Sequence, residues 1–137
     1  MGLVYENITL KNAGDVIGVR RGVFGELNIH QINIQALADT GAELLVINEE
    51  IREKLNLDIL SSKKISLADN EPKICKLTEP VEVHWKDRFT VVQALVLDGA
   101  SEVLLGAIPL EGMNLIVDPA NHKLTGANGD EIIYKIF

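Results

Sequence analysis

The residues best suited to chemistry lie in one short segment, residues 36–42, which read ALADTGA. Asp39 is a carboxylate at the end of an apolar run, and a hydroxyl and two small residues follow it, so the backbone can turn tightly there. A carboxylate beside apolar surface loses solvation unless it is hydrogen-bonded or protonated, and such groups concentrate at functional sites. The segment is therefore a candidate carboxylate-based active site, but an ordinary Asx turn closed by Asp39 uses the same residues, and the tripeptide alone favours that turn.

The other residues that could carry chemistry have no partners at a useful spacing. His30, His84 and His122 are scattered, with neither the i, i+4 spacing nor the cysteine neighbour of a metal site. Cys75 has no local catalytic context, and we expect it to pack as a small hydrophobic residue. The sequence thus predicts no metal and no cofactor.

Composition limits the class of protein. A chain of 137 residues that is 47% apolar has the size and the character of one globular domain. The net charge of −7 argues against nucleic-acid binding. The single cysteine excludes an intrachain disulfide, and no apolar run is long enough to span a membrane. Because the first thirty residues lack the apolar region of a signal peptide, we expect a cytoplasmic protein.

The elements that must position Asp39 are mostly strands. The chain contains 27 Val and Ile residues against six aromatic ones, which favours sheet. One helix is predicted after Asn48, a good N-cap, and it should end near Asn56; a helical turn is predicted at residues 109–112. Strands are predicted over residues 4–11, 16–19, 27–37, 44–47, 64–68, 73–77, 81–85, 89–97, 103–106, 115–117, 123–124 and 132–136.

The order of these segments resembles that of a known family. Asp-Thr-Gly-Ala after an apolar strand, followed by the apolar residues 44–47 and a helix, resembles the retropepsin-like aspartic proteases, including their small bacterial and archaeal members. Residues 103–110, VLLGAIPL, resemble the family's second signature, and residues 66–70 resemble the start of its flap hairpin. The closing strands at 115–119 and 123–124 also match, so the resemblance runs from about residue 32 to residue 124.

The resemblance implies an all-β, retropepsin-like acid protease fold: a closed or partly open β-barrel with one short helix and one helical turn. It implies a single domain over residues 1–137, with an N-terminal extension of about residues 1–26. It also implies roles for individual residues. These are a catalytic Asp39, an active-site loop of Thr40, Gly41 and Ala42, a flap of Ala68, Asp69, Asn70, Glu71 and Pro72, and a buttress of Leu104, Leu105 and Gly106.

The function implied is that of an aspartic endopeptidase acting on protein or peptide. Because the chain has only one Asp-Thr-Gly, the resemblance implies a homodimer with one Asp39 from each copy. No nucleic-acid or membrane partner is expected.

One departure favours an alternative, a catalytically silent module of the same fold that dimerises or binds peptides. Flaps of this family commonly carry glycine at the tip, whereas residues 68–73 contain none and include Pro72.

Overall fold

The computed structural model describes residues 2–66, 70–100 and 102–136. Within these residues the chain forms three short α-helices: α1 (Ala13–Arg20), α2 (Glu49–Lys54) and α3 (Ala107–Gly112). A single 3₁₀ turn, Glu26–Asn28, precedes the second strand. The strands are β1 (Tyr5–Asn12), β2 (Gln31–Ala38), β3 (Leu45–Ile47), β4 (Ile59–Ser66), β5 (Pro72–Trp85), β6 (Arg88–Val96), β7 (Val103–Leu105), β8 (Leu115–Asp118) and β9 (Lys123–Gly126).

Six strands close into a barrel. Their order is β1-β2-β7-β3-β6-β5, and β5 pairs back with β1 to complete the ring. Strand β4 pairs with the first half of β5 and forms a hairpin outside the ring, while β8 and β9 make a separate two-stranded sheet. The all-β, retropepsin-like barrel expected from the sequence is confirmed, in its closed form.

The ring strands bury apolar side chains on both faces. One face of each contributes to the main core, which includes Leu10, Leu45, Val83 and Leu105. On the opposite face, directly paired residues form a continuous line across five strands, because residues opposite each other in a sheet share a face. We call this line the outer apolar row; its members are Leu37, Leu104, Val46, Leu95 and Leu77.

A β-bulge lets β5 belong to both the hairpin and the barrel. The register between β5 and β6 shifts between Leu77 and Pro80. Thr78, fully buried at this point, donates its hydroxyl to the Glu79 carbonyl (2.7 Å) and accepts the Ala94 N–H (3.1 Å). Its side chain thus replaces the ladder hydrogen bond that the extra residue interrupts, and the strand bends without leaving a buried amide unpaired.

The helix predicted after Asn48 is confirmed. The Asn48 side chain accepts the Ile51 N–H at 2.9 Å, and Asn56 takes the left-handed conformation of a C-terminal residue (φ 51°). On the exposed face, hydrogen bonds from Arg52 lower the pKa of the Glu49 carboxyl below its ordinary value. The helical turn predicted at residues 109–112 is confirmed as α3.

The strand predicted at residues 16–19 is wrong, because these residues lie in helix α1. Asn12 caps this helix by accepting the Asp15 N–H at 3.1 Å. The Phe24 ring packs so closely on Gly18 that a Cβ at this glycine would lie 2.3 Å from it. Side-chain capping and this tertiary contact outweigh the β preference of Val16, a member of the predicted strand.

The strand predicted at residues 132–136 is also wrong. Gly129 has the positive φ (87°) expected of an Asn-Gly turn, but no strand follows it in residues 130–136. Polar contacts hold this segment instead: Asn114 Nδ2 donates to the Ile133 carbonyl at 2.6 Å, and the Tyr134 hydroxyl donates to the Gly112 carbonyl at 3.1 Å. These contacts to the loop after α3, and not a strand pairing, fix the path of residues 130–136.

Candidate active site

Asp39 lies at the point where β2 leaves the barrel. Its N–H donates to the Leu105 carbonyl of the neighbouring strand β7 at 3.0 Å, and its own carbonyl accepts the Ala42 N–H at 3.1 Å. Its carboxylate is half-buried, and Oδ1 accepts the Gly41 N–H at 2.9 Å. The backbone on both sides of Asp39 is therefore fixed, and the turn holds the carboxylate at the barrel surface.

The start of α3 braces the loop from behind. Three consecutive amides donate to three consecutive carbonyls, of Ala42 at the end of the loop and of the next two residues: Ala107 N to Ala42 O (2.8 Å), Ile108 N to Glu43 O (2.8 Å) and Gly106 N to Leu44 O (3.1 Å). The first amides of a helix have no partner inside the helix, so these carbonyls also cap α3. The loop and the helix thus satisfy each other's backbone groups.

Gly106 is the residue that permits this close approach. A Cβ there would lie 2.4 Å from the Leu44 carbonyl oxygen and 2.7 Å from that of Ala42. Leu105 is buried in the main core, and Leu104, in the outer apolar row, stays partly exposed. The structure therefore places all three predicted buttress residues directly against the Asp39 loop or the strand beneath it.

The remaining loop residues face outwards. Thr40 and Gly41 are exposed and Ala42 is half-buried. Within the described part of the chain the Thr40 side chain makes no hydrogen bond. Gly41 does not have a positive φ; a Cβ there would instead lie 3.1 Å from Asp39 Oδ1, so the glycine leaves room for the carboxylate.

Of the flap predicted at residues 68–72, the described residues 70–72 lead into β5, the second strand of the β4–β5 hairpin. Ala68 and Asp69 lie outside the described residues. Asn70 has a positive φ of 62°, a conformation that asparagine tolerates better than most residues, so Asn70 takes a turn position that glycine could fill. Glu71 is exposed, and Pro72 begins β5, where its missing N–H is acceptable.

The half of this hairpin next to its turn packs near the Asp39 loop. Ile65 of β4 and the buried Cys75 of β5 belong to a small apolar cluster that includes Val46, and Leu44 and Leu104 pack against it. Cys75 therefore packs as a hydrophobic residue, as expected. The uninterrupted apolar runs at 44–47 and 103–105 predict strands with two buried faces, but no pattern in the sequence indicates that Ile65 and Cys75 cover the second face.

The three histidines bond to different residues, and none of them bonds to Asp39 in the described chain. His30 and His84 bond to Asp15 and Glu82, each at 2.8 Å, and His122 bonds to a backbone carbonyl. No group of three potential metal ligands occurs within the described ranges. In those same ranges, no helix is long and apolar enough to cross a membrane.

A barrel closed by six strands, with an Asp-Thr-Gly loop braced by an apolar-apolar-Gly strand, defines a retropepsin-like protein. The sequence profile of the aspartyl protease family matches residues 25–109, more than half of the chain. The chain therefore belongs to the aspartyl protease family. No curated protein sequence matches it.

Two solved structures show the same fold. The retroviral protease-like domain of Ddi1 from Leishmania major superimposes with a TM-score of 0.57 at 14% identity, covering 96% of this chain and 91% of that one. A retropepsin-like aspartic protease from Rickettsia conorii superimposes with a TM-score of 0.51 at 21% identity, covering 86% of this chain and 90% of that one. At these identities the likeness concerns the fold.

Proposed function

We propose that the protein is a homodimeric aspartic endopeptidase in which two Asp39 carboxyls, one from each copy, activate the water that hydrolyses a peptide bond. The observation that carries this proposal is the loop itself. Asp39 lies half-buried at the barrel surface, where its N–H donates to the Leu105 carbonyl of β7 and the Ala107 N–H of α3 donates to the Ala42 carbonyl of the loop. The chain contains this loop once, so a second carboxyl must come from a second copy.

The chemistry requires two carboxyls that differ in protonation. Peptide hydrolysis without metal or covalent intermediate needs one group to take a proton from water and another to give one to the carbonyl oxygen. Two carboxyls in contact cannot both be ionised, so they share one proton and perform both tasks, as is general in aspartic proteases. The rate should rise and then fall with pH, because only the singly protonated pair is active.

The other loop residues have supporting roles in this proposal. Thr40, exposed and without a hydrogen bond in the described part of its own chain, would bond across the two-fold axis and hold the two loops together. Gly41 and Ala42 are small enough for a substrate backbone to pass beside Asp39. The hairpin tip at residues 68–72 would cover the substrate.

Substitution of the carboxylate tests the proposal. Asp39→Asn keeps the shape and the hydrogen bond from Gly41 but removes the shared proton, so peptide cleavage should fall by at least about 10²–10⁴-fold. Thermal unfolding and sedimentation should remain those of the wild type. Asp87→Asn, in the exposed turn between β5 and β6, is the matched control and should retain activity. A cleaving Asp39→Asn protein would place the chemistry elsewhere.

A second candidate is a silent dimerisation or peptide-binding module, favoured by the glycine-free hairpin tip with Pro72 at the start of β5. Under this alternative, the wild type cleaves nothing, and Asp39→Asn binds peptides as the wild type does. The same pair of proteins therefore separates the two functions.

A further inference from the structure

The β4–β5 hairpin has two faces that differ in surroundings. Lys63 pairs directly with Cys75, and Ile65 pairs directly with Lys73. Paired residues share a face of a sheet, as do residues two apart on one strand, so these four side chains lie on the same face. Because Cys75 is buried, this face is turned towards the barrel, and we call it the inner face of the hairpin.

The inner face meets the surface beside Asp39. Cys75 and Ile65 join the small apolar cluster against which Leu44 and Leu104 pack. Leu44 follows the Asp39 loop by two residues, and Leu104 adjoins the residue whose carbonyl binds the Asp39 N–H. The two lysines of the inner face thus border the apolar surface next to the candidate catalytic carboxylate.

The inner face carries two lysines that present their charge to solvent. Lys63 and Lys73 are both exposed, and neither has a carboxylate within salt-bridge distance in the part of the chain that the structure describes. An acidic group brought under the hairpin would gain attraction from both side chains.

The opposite face of the same hairpin supplies an internal comparison. Lys64 and Lys76 alternate with the inner lysines and lie on the outer face. Lys76 is close enough to Glu49 of α2 to contribute to lowering the pKa of that carboxyl. One outer lysine therefore already interacts with an acidic residue of its own chain.

We propose that Lys63 and Lys73 make the site selective for extended polypeptide segments in which acidic side chains flank apolar ones. The apolar side chains would rest on Leu44 and Leu104, and the acidic ones would lie beneath the inner lysines. This inference rests on the proposed peptide-binding role of the Asp39 cleft, and it names the substrate class of that cleft.

The test uses three fluorescein-labelled peptides with one apolar core, Val-Leu-Ala-Leu-Val-Ala, flanked on both sides by Glu, Gln or Lys pairs. Binding is measured by anisotropy with the Asp39→Asn protein, and cleavage with the wild type. The Glu peptide should bind most tightly and the Lys peptide least. In the wild-type site we expect each lysine to strengthen binding of the Glu peptide over the Gln peptide about twofold to fivefold at low salt. The double variant Lys63→Gln, Lys73→Gln should therefore lose this preference. Lys64→Gln with Lys76→Gln, the matched control, should keep it.

The outcomes separate this inference from the proposed function. Equal binding of the three peptides, or equal losses in the inner and outer variants, would overturn the role of the inner lysines. Cleavage by the wild type without preference for Glu would do the same and leave the peptidase standing. Binding that depends on the inner lysines, with no cleavage by the wild type, would support this inference and reject the peptidase.

Discussion

At the scale of single residues, the position of one carboxylate depends on several backbone contacts. Asp39 receives one hydrogen bond from Gly41 within its loop and gives one to Leu105 outside it. Neither contact uses the second carboxylate oxygen, Oδ2, and no other described residue donates to it. The residue that makes this arrangement possible is Gly106, which has no catalytic group of its own.

Gly106→Ala should therefore damage the site by displacing the loop. The new Cβ would meet the carbonyls of Leu44 and Ala42, which are backbone atoms and cannot rotate away. We expect a loss of about 1–3 kcal/mol in the free energy of unfolding, together with reduced peptidase activity. Urea unfolding measures the first and peptide cleavage the second.

Gly25→Ala is the control for this substitution. Gly25 has a negative φ of −81°, and an added Cβ would approach no atom closer than 4.0 Å. The free energy of unfolding of the Gly25→Ala protein should stay within about 0.5 kcal/mol of the wild-type value. Equal stability of the two alanine variants would contradict the close packing of the loop against α3.

At the scale of elements, the bulge in β5 decides where the hairpin points. Leu77 belongs to the outer apolar row, whereas Val81, four residues later, belongs to the main core. In a regular strand these two residues would share a face. The bulge at Thr78 thus turns the first half of β5 out of the barrel and over the surface beside Asp39.

Thr78→Val tests the importance of the bulge. Valine has the same shape but leaves the buried Ala94 N–H without an acceptor, so we expect a loss of about 1–3 kcal/mol in stability. Thr78→Ser keeps the hydroxyl and loses one methyl, worth about 0.8 kcal/mol. Chemical denaturation should rank the valine variant below the serine variant; the reverse order would show that packing, and not the hydrogen bond, maintains the bulge.

The elements also show how far sequence reasoning reaches. Helix α2 was predictable because Asn48 and Asn56 mark its ends with local chemistry. The apolar runs around β3 and β7 were predictable because both faces are buried. Local signals do not report tertiary contacts, and the errors at residues 16–19 and 132–136 follow from that.

The candidate site also has one part that the sequence predicts and one part that it does not. The Asp39 loop and the strand behind it were recognisable from residues 39–42 and 103–106, because each of these two segments is a continuous stretch of sequence. The inner face of the hairpin was not, because it depends on the register that pairs Lys63 with Cys75. Register is set by the turn and the bulge, which the sequence does not specify by any short motif.

At the scale of the whole molecule, the N-terminal residues complete the barrel. Strand β1 pairs with both β2 and β5, so the segment expected as an extension closes the ring. Near the other end of the chain, the buried Arg88 guanidinium donates to the carbonyls of Met113 and Gly129 and so holds the C-terminal segment against β6. One chain thus forms a complete barrel, and it carries one copy of the Asp39 loop.

The measurement that tests this account most directly mixes wild-type protein with Asp39→Asn at equilibrium. A fixed amount of wild type is titrated with the variant, with substrate in large excess over total protein, and cleavage is followed.

If each active dimer needs two Asp39 carboxyls, mixed dimers are inactive. Activity should then fall to about half at equal amounts and about a quarter at threefold excess of the variant, as random pairing of subunits requires. Cleavage that stays constant at every ratio would show that one chain carries the whole active site, and would contradict the shared pair of Asp39 residues.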